Sequence, residues 1–393
     1  METLGLYIQV PFCASKCSFC NFSSRVTRGD VYDRYCGALD EEIDRLPYDY
    51  KSVALAANPF EIPADSVYFG GGTPSLLGSD RIGKIVLALH RRFRFAPEVE
   101  FTMEVTPGSA NDDFFKHALA LGVNRLSFGA QSFDDAELRS VGRLHTAEDT
   151  RAIVQNARQV GFGNISLDLI AGLPHQSEAS WVASLQSVIA LRPEHLSVYL
   201  FEIDEKSRLG NEALRHGIRY HADAIPDDDF MADAYDGARH LLREAGYIQY
   251  EISNFALPGR ESVHNRKYWQ LKPYVGLGAG AHSSDGQFRW ENATSVEEYQ
   301  SLLEQGKSPI CEQRRLTPDA QVEEFFFLGL RQMEGITLAE AGHRWGPERV
   351  ERWARKIESL EHDGWLERQN EHVRLTEKAL LISNEVFQEF IGV

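Results

Sequence analysis

Short apolar runs alternate along the first half of the chain with longer stretches in which apolar residues return every three or four positions. The runs at 4–10, 66–71, 99–105, 125–131, 164–170 and 195–203 read as strands, and 30–46, 79–93, 110–121, 146–160 and 178–191 carry the helical period. Gly122, Gly161 and Pro193 punctuate the helix ends. Strands alternating with helices predict parallel βαβ units rather than a meander. About six units fall short of a closed eight-unit barrel, and ligands of such a sheet are expected at the carboxyl ends of its strands. The fold class expected is therefore α/β, a partial six-unit barrel over 1–250.

Beyond residue 204 the alternation changes. Asp227, Asp228 and Asp229 precede a helical pattern at 228–245, and they read as charge at a helix start, favourable to the macrodipole, rather than as a metal site. An edge strand is expected at 247–255, and 251–315 is expected to extend the barrel. From 316 to 393, helices at 319–332, 337–343 and 347–362, two short strands at 364–368 and 372–375 and a last helix at 376–390 form a winged-helix-like pattern.

Composition narrows the function classes. With 393 residues, 43% of them apolar, the chain can bury one large core and a smaller one. Its 41 basic against 58 acidic residues give a net charge of -17, a bulk field that repels nucleic acid and anionic membranes. The helix 347–362 mixes both charge signs, so the winged unit is expected to pack or dock rather than read DNA. No apolar stretch approaches the ~20 residues of an integral membrane segment. The chain enters its first strand without a leader pattern, and its 5 cysteines are few and odd in number, so a reducing, cytoplasmic location is expected.

Three of those cysteines, Cys13, Cys17 and Cys20, follow the first strand as C-x3-C-x2-C. Thiolates suit iron-sulfur clusters, zinc and cuprous copper. A closed zinc site needs a fourth ligand, and the next candidates are Cys36 and His90, so a zinc site with a distant ligand and three unrelated thiols remain the alternatives. Three ligands on a four-iron cube would leave one iron open to a small molecule. At the next strand end Gly70, Gly71 and Gly72, followed by Thr73, remove every Cβ that would keep a ligand off the backbone. Glu104, Gln131 and Asp168 each place a polar group in an apolar strand near the same mouth. His264, in a loop beside Tyr268 and Trp269, could ligate a metal or haem, or be structural.

Together, the cysteine loop, Gly70 to Ser75, Glu104-Val105-Thr106-Pro107, Gly129 to Phe133, Asp168 with Gly172-Leu173-Pro174 and the winged region resemble the oxygen-independent coproporphyrinogen III oxidase-like family of radical S-adenosylmethionine (SAM) proteins, over nearly the whole chain. Within that family the sequence is most similar to the haem-chaperone group. The oxidases carry a further cysteine where Phe22 stands here; they have a longer arm before the cluster loop; and His264-Asn265-Arg266-Lys267-Tyr268-Trp269 matches the chaperone group's HNxxYW pattern, associated with haem.

The resemblance implies a 4Fe-4S cluster on Cys13, Cys17 and Cys20, and a SAM site built from Tyr7, Phe19, Gly71, Gly72, Thr73, Glu104, Gln131, Arg143 and Asp168. Gln131, Arg143 and Asp168 correspond to contacts of a second SAM in the oxidase, which a chaperone holding one SAM would not need. His264 becomes the haem contact. The implied function is haem delivery to an acceptor protein, within porphyrin biosynthesis, with SAM cleavage and a flavodoxin-like or small-molecule reductant left open and no oxidase activity expected. The alternative is a radical-SAM enzyme, a coproporphyrinogen dehydrogenase or a carbon methyltransferase, using 5′-deoxyadenosyl radical chemistry.

Overall fold

The computed structural model describes residues 2–27, 29–50 and 58–392. Six strands stand where the apolar runs place them: β1 (Leu4–Val10), β2 (Ala64–Gly71), β3 (Phe95–Val105), β4 (Arg125–Gln131), β5 (Ile165–Ala171) and β6 (His195–Leu200). Each pairs with the next in parallel. One face is apolar, with Leu6, Ile8, Phe69, Met103, Leu126, Phe128, Leu167 and Leu196 all at most 1% exposed, as a face covered by crossover helices requires, while the alternate positions Tyr68, Glu104, Arg125, Ser127, Asp168 and Ser197 face the cavity described below.

Residues 248–315 widen this sheet at both edges. The strand expected at 247–255 is broken into β7 (Ile248–Gln249) and β8 (Asn254–Ala256), which pair antiparallel with each other while β8 pairs antiparallel with β6. The break is made by Glu251, fully buried, whose carboxylate accepts from the Ser253 amide at 2.8 Å and turns the chain back. On the other side β9 (Tyr274–Leu277) lies parallel to β1, a seventh parallel strand hidden in the glycine-rich run. Gly276 is required there, since a Cβ would meet the His282 carbonyl oxygen at 2.1 Å. Strands β10 (His282–Ser284), β11 (Phe288–Asn292) and β12 (Ile310–Arg315) follow antiparallel. The described residues thus form one twelve-stranded sheet, in the order β12-β11-β10-β9-β1-β2-β3-β4-β5-β6-β8-β7.

Helices Asp30–Asp49, Ser79–Arg92, Asp112–Ala120, Ala147–Val160 and Glu178–Leu191 are the expected crossovers. Asp227 caps the helix Asp228–Glu244 by accepting from the Phe230 amide at 2.9 Å, so the acidic run is a helix start. One crossover also ties the sheet's far side. Glu42 on the first helix accepts from the Gly278 amide at 2.8 Å, Asn292 Nδ2 at 2.6 Å and the Tyr299 hydroxyl at 2.6 Å, and burial raises its pKa to about 7. Glu42→Gln, which turns an acceptor oxygen into a donor facing donors, should cost about 1–3 kcal/mol in a denaturant unfolding titration.

The C-terminal unit comprises helices Pro318–Gly329, Leu338–Trp345 and Pro347–His362 and a small sheet of β13 (Ile336–Thr337), β14 (Leu366–Gln369) and β15 (His372–Leu375), in the order β13-β15-β14. Phe326, Trp353, Ile357 and Phe390 form its core, with the rings of Phe326 and Phe390 stacked at 5.0 Å. The single last helix expected at 376–390 is two pieces, Glu377–Ala379 and Ser383–Gln388. Leu380, Leu381 and Ile382 are consecutive apolar residues that one helical face cannot bury together. Leu380 joins the core, and all three line the large cavity described below. Among the described residues no helix is long and apolar enough to cross a membrane.

Candidate functional site

The cysteine loop leaves β1 through Pro11 and is tied down by backbone contacts. Phe12 and Cys13 pair with Arg25 and Val26, the Ser18 amide donates to the Val141 carbonyl at 3.0 Å, and the Leu209 amide donates to the Ser18 carbonyl at 2.8 Å. Lys16 Nζ donates to Ser24 Oγ at 3.0 Å, closing the loop on itself. Cys13 and Cys20 are part-exposed and Cys17 is buried, and all three are free thiols lining one cavity of about 1180 Å³.

The same cavity is lined by Phe19, by the strand residues Gly71, Glu104, Gln131 and Asp168, by Gly72 and Thr73 just past the second strand, and by Arg143 from the turn after the helix Asp135–Ser140. Gly71 has φ +102°. Its amide donates to Glu104 Oε2 at 3.1 Å, the Gly72 amide to the Val10 carbonyl at 2.8 Å and the Thr73 amide to the Phe12 carbonyl at 2.7 Å. The Gly72 and Thr73 amides are therefore spent on clamping the start of the cysteine loop, and the Gly71 amide on holding Glu104. What the glycine run adds for a ligand is carbonyl oxygen and open space, which suits an ammonium rather than a carboxylate. A Cβ on Gly72 would meet the Phe12 carbonyl oxygen at 2.4 Å and the Val10 carbonyl oxygen at 2.8 Å. Gly72→Ala should cost about 1–3 kcal/mol by thermal unfolding. Gly83→Ala, in a helix where the nearest neighbour to the new Cβ is 3.6 Å away, should instead be neutral or stabilising.

Glu104 is an inward-facing carboxylate, not a surface residue. Its Oε1 accepts from the Tyr68 hydroxyl at 2.9 Å, and burial, with Asp168 nearby, raises its pKa to about 7. Burial likewise raises Asp168 to about 6, against hydrogen bonding from Ser197 and the Arg125 charge. Such carboxyls are placed to accept hydrogen bonds from hydroxyls or an ammonium inside the cavity. Gln131 sits at φ +67° on a bulge between Phe128 and Gln131, which turns it off the ladder. Arg143 bridges strand and loop: Nη2 donates to the Gly129 carbonyl at 2.6 Å and Nη1 approaches Cys17 Sγ at 3.7 Å.

Two expected site residues lie elsewhere. Tyr7 and His264 are not on the cavity lining. The Tyr7 hydroxyl donates to Gln9 Oε1 at 2.8 Å and its ring stacks on Tyr68 at 5.9 Å, so it reaches the cavity only through that neighbour. His264 is on a helix, Val263–Trp269, and not in a loop. It is 1% exposed, with Nδ1 bonded to Ser66 Oγ at 3.0 Å and Nε2 to the Tyr268 hydroxyl at 2.8 Å. Burial drops its pKa to about 3. As folded, both ring nitrogens of His264 are engaged and the residue stands off the cavity lining, so the expected haem contact is not presented in this arrangement. Sequence reading also passed over Arg125, Asn265 and Arg331, which do line the cavity. Arg125 shares the inward face of its strand with Ser127 and Asn265 belongs to the HNxxYW pattern, while Arg331 is brought to the cavity from a distant segment that no local pattern marks.

The residues present fit an iron-sulfur cluster with a ligand beside it. Among the described residues no three His, Cys, Asp or Glu side chains close around a single ion position. A polynuclear cluster, by contrast, spreads its thiolates over separate iron atoms. Beside Cys17, the cavity-lining Arg143 has a buried Nε with no hydrogen-bond partner among the described residues, so donor capacity is in reserve next to where a charged cluster would sit.

An incomplete parallel barrel whose strand ends face a three-cysteine loop, joined to a small winged unit, defines the radical-SAM class of protein. The Radical SAM superfamily profile matches residues 7–188 and the HemN C-terminal domain profile residues 316–382. The chain belongs to the HemW family of radical-SAM proteins. It is 33% identical over 387 residues to the heme chaperone HemW of Bacillus subtilis, covering 98% of each chain. With HemW of Escherichia coli it shares 35% identity over 283 residues, 72% of this chain and 70% of that protein. The solved structure of coproporphyrinogen III oxidase (HemN) from Escherichia coli, a radical SAM enzyme, superposes with a TM-score of 0.85 at 26% identity, covering 100% of this chain and 90% of that one. Membership of the radical SAM family implies a 4Fe-4S cluster and SAM as cofactors.

Proposed function

We propose that this protein is a haem chaperone of the cytoplasm, which binds a 4Fe-4S cluster, SAM and haem and passes the haem to an acceptor protein. Cys13, Cys17 and Cys20 would hold the cluster through their thiolates. Glu104, Gly71, Gly72 and Thr73 would receive the amino end of SAM and its hydroxyls, Phe19 would pack against it, and Gln131, Arg143 and Asp168 would line the far side, with Tyr7 supporting Tyr68 from behind. When bound, the cluster supplies an iron coordination site and one-electron chemistry, the electron coming from a flavodoxin-like or small-molecule donor.

The observation that carries the haem reading is the shape of the cavity. At about 1180 Å³ it exceeds the usual span of small-ligand sites, about 300–1,000 Å³. It runs from the cysteine loop to an apolar wall supplied by Leu380, Leu381 and Ile382, which leaves room for a planar apolar ligand beyond SAM. Near full-length similarity to proteins named heme chaperone supports the same reading. The test is anaerobic reconstitution followed by haem titration and product analysis. A shifted, saturable Soret band is expected. No Soret change, together with turnover-linked 5′-deoxyadenosine and a modified small molecule, would make the protein a radical-SAM enzyme instead.

A further inference from the structure

The six-residue pattern His264 to Trp269 forms a helix, so its polar and aromatic members divide by helical spacing into two pairs, 264 with 268 and 265 with 269. The first pair turns into the protein. His264 and Tyr268 bond each other; His264 stacks on Tyr7 and Tyr68, and Tyr268 meets Tyr274 edge-on. The second pair faces the seam between barrel and C-terminal unit. Asn265 lines the cavity, and Trp269 lies beneath Arg331, whose guanidinium carbon is 4.5 Å from the ring centroid.

Arg331 is held rigidly at that seam. Its carbonyl accepts from the Ile252 amide at 3.2 Å, and its Nη2 donates to Glu251 Oε2 at 3.3 Å. Its Nε is buried and has no hydrogen-bond partner among the described residues. A buried guanidinium N–H without an acceptor is costly, and it lies on a residue that lines the cavity. Around it the wall is apolar, made by Tyr235, Ile252, Leu380 and Leu381, all in or packed against the C-terminal core. A ligand matched to this wall has a broad apolar face and a carboxylate at its edge.

We propose that Arg331 and Asn265 form a carboxylate subsite on the cavity wall, which takes a propionate of a tetrapyrrole lying along Tyr235, Ile252 and Leu380. The proposal rests on the haem reading above and names the contact that orients the haem. The guanidinium of Arg331 meets the carboxylate in charge-assisted hydrogen bonding, Asn265 adds an amide donor, and Trp269 and Glu251 fix the guanidinium. On this account the HNxxYW pattern serves the ligand through its asparagine and tryptophan, and the histidine serves the fold.

The test compares Soret titrations of the reconstituted full-length protein with haem and with haem dimethyl ester, whose propionates are blocked. The wild type should bind haem about tenfold or more tighter than the ester, the difference a charge-assisted hydrogen bond makes. Arg331→Met should bind both alike, at the affinity of the wild type for the ester. Because that variant leaves Glu251 buried without its cation, the pair Arg331→Met with Glu251→Gln is made as well, and should behave the same way. Equal binding of haem and ester by the wild type would overturn the subsite and leave haem binding intact. So would an undiminished preference in the folded double variant. Failure of the wild type to bind either would remove the haem reading itself, and the subsite with it.

Discussion

With Cys13, Cys17 and Cys20 all replaced by alanine, the anaerobically reconstituted protein should retain almost none of the iron and sulfide that the wild type takes up. Thiolates hold such a cluster, and the loop offers three on one face of the cavity. The loss should come without unfolding. The loop is anchored by backbone bonds from Ser18 to Val141 and from Leu209 to Ser18, and by the clamp of the Gly72 and Thr73 amides on Val10 and Phe12, none of which involves a sulfur. The thermal midpoint of the metal-free triple variant should therefore match that of the metal-free wild type. Cys36 and Cys311, one buried and one exposed, lie off the cavity, so Cys36→Ser and Cys311→Ser should load iron normally. A triple variant with a full complement of iron and sulfide would end the reading of this loop as a cluster site, and with it the SAM roles assigned around it.

The barrel was legible because each strand buries one apolar face under the crossover helices, so short runs rich in Leu, Val, Ile and Phe recur between the helical stretches. β1 and β4 have the predicted ends, and β2, β3, β5 and β6 differ by a few residues at an edge. The site was legible where a rule of physical chemistry was broken in public: sulfur donors bunched in eight positions, three glycines closing a strand, a carboxylate inside an apolar strand. Glu104 is the clearest case, since a carboxyl in that run had to have partners, and it has Tyr68 and Gly71. β9 escaped notice because its one glycine, Gly276, serves close backbone packing against His282 and, with Gly278 and Gly280 following, reads locally as loop. The cavity wall escaped for a different reason. Asn265, Arg331 and Leu380 are brought together by packing between segments far apart in sequence; Arg331 and Leu380 are unremarkable among their neighbours in the chain, and within the HNxxYW pattern it was the histidine, not Asn265, that drew the ligand reading.

The histidine of the HNxxYW pattern carries the sharpest consequence of that difference between pattern and packing. His264→Ala should destabilise the protein by about 3–5 kcal/mol, because it opens a cavity among Tyr7, Tyr68 and Tyr268 and leaves Ser66 Oγ and the Tyr268 hydroxyl without their partner. The pH dependence follows from burial. The folded-state pKa of about 3 lies below the usual histidine value, so the unfolded chain binds this proton more readily than the folded one. The contribution of a neutral His264 is complete above the unfolded value, about 6.5, and is lost as pH falls from there toward 3. His145, lowered to about 4 chiefly by burial, adds to the loss in the same direction. The buried carboxyls act oppositely: Glu42 and Glu104, raised to about 7, favour the fold below about 4.5 and lose that contribution as pH rises toward 7. In urea titrations from pH 4 to pH 7, His264→Gln should therefore flatten the acid-side fall in stability while keeping both side-chain bonds through its amide. That same variant should titrate with haem as the wild type does, since a glutamine can fill the place of a buried hydrogen-bonded imidazole but cannot replace it on iron. A folded His264→Gln protein that has lost its Soret shift would show that the helix Val263–Trp269 opens to present the imidazole, and that the packed arrangement around Ser66 and Tyr268 is only the ligand-free half of its cycle.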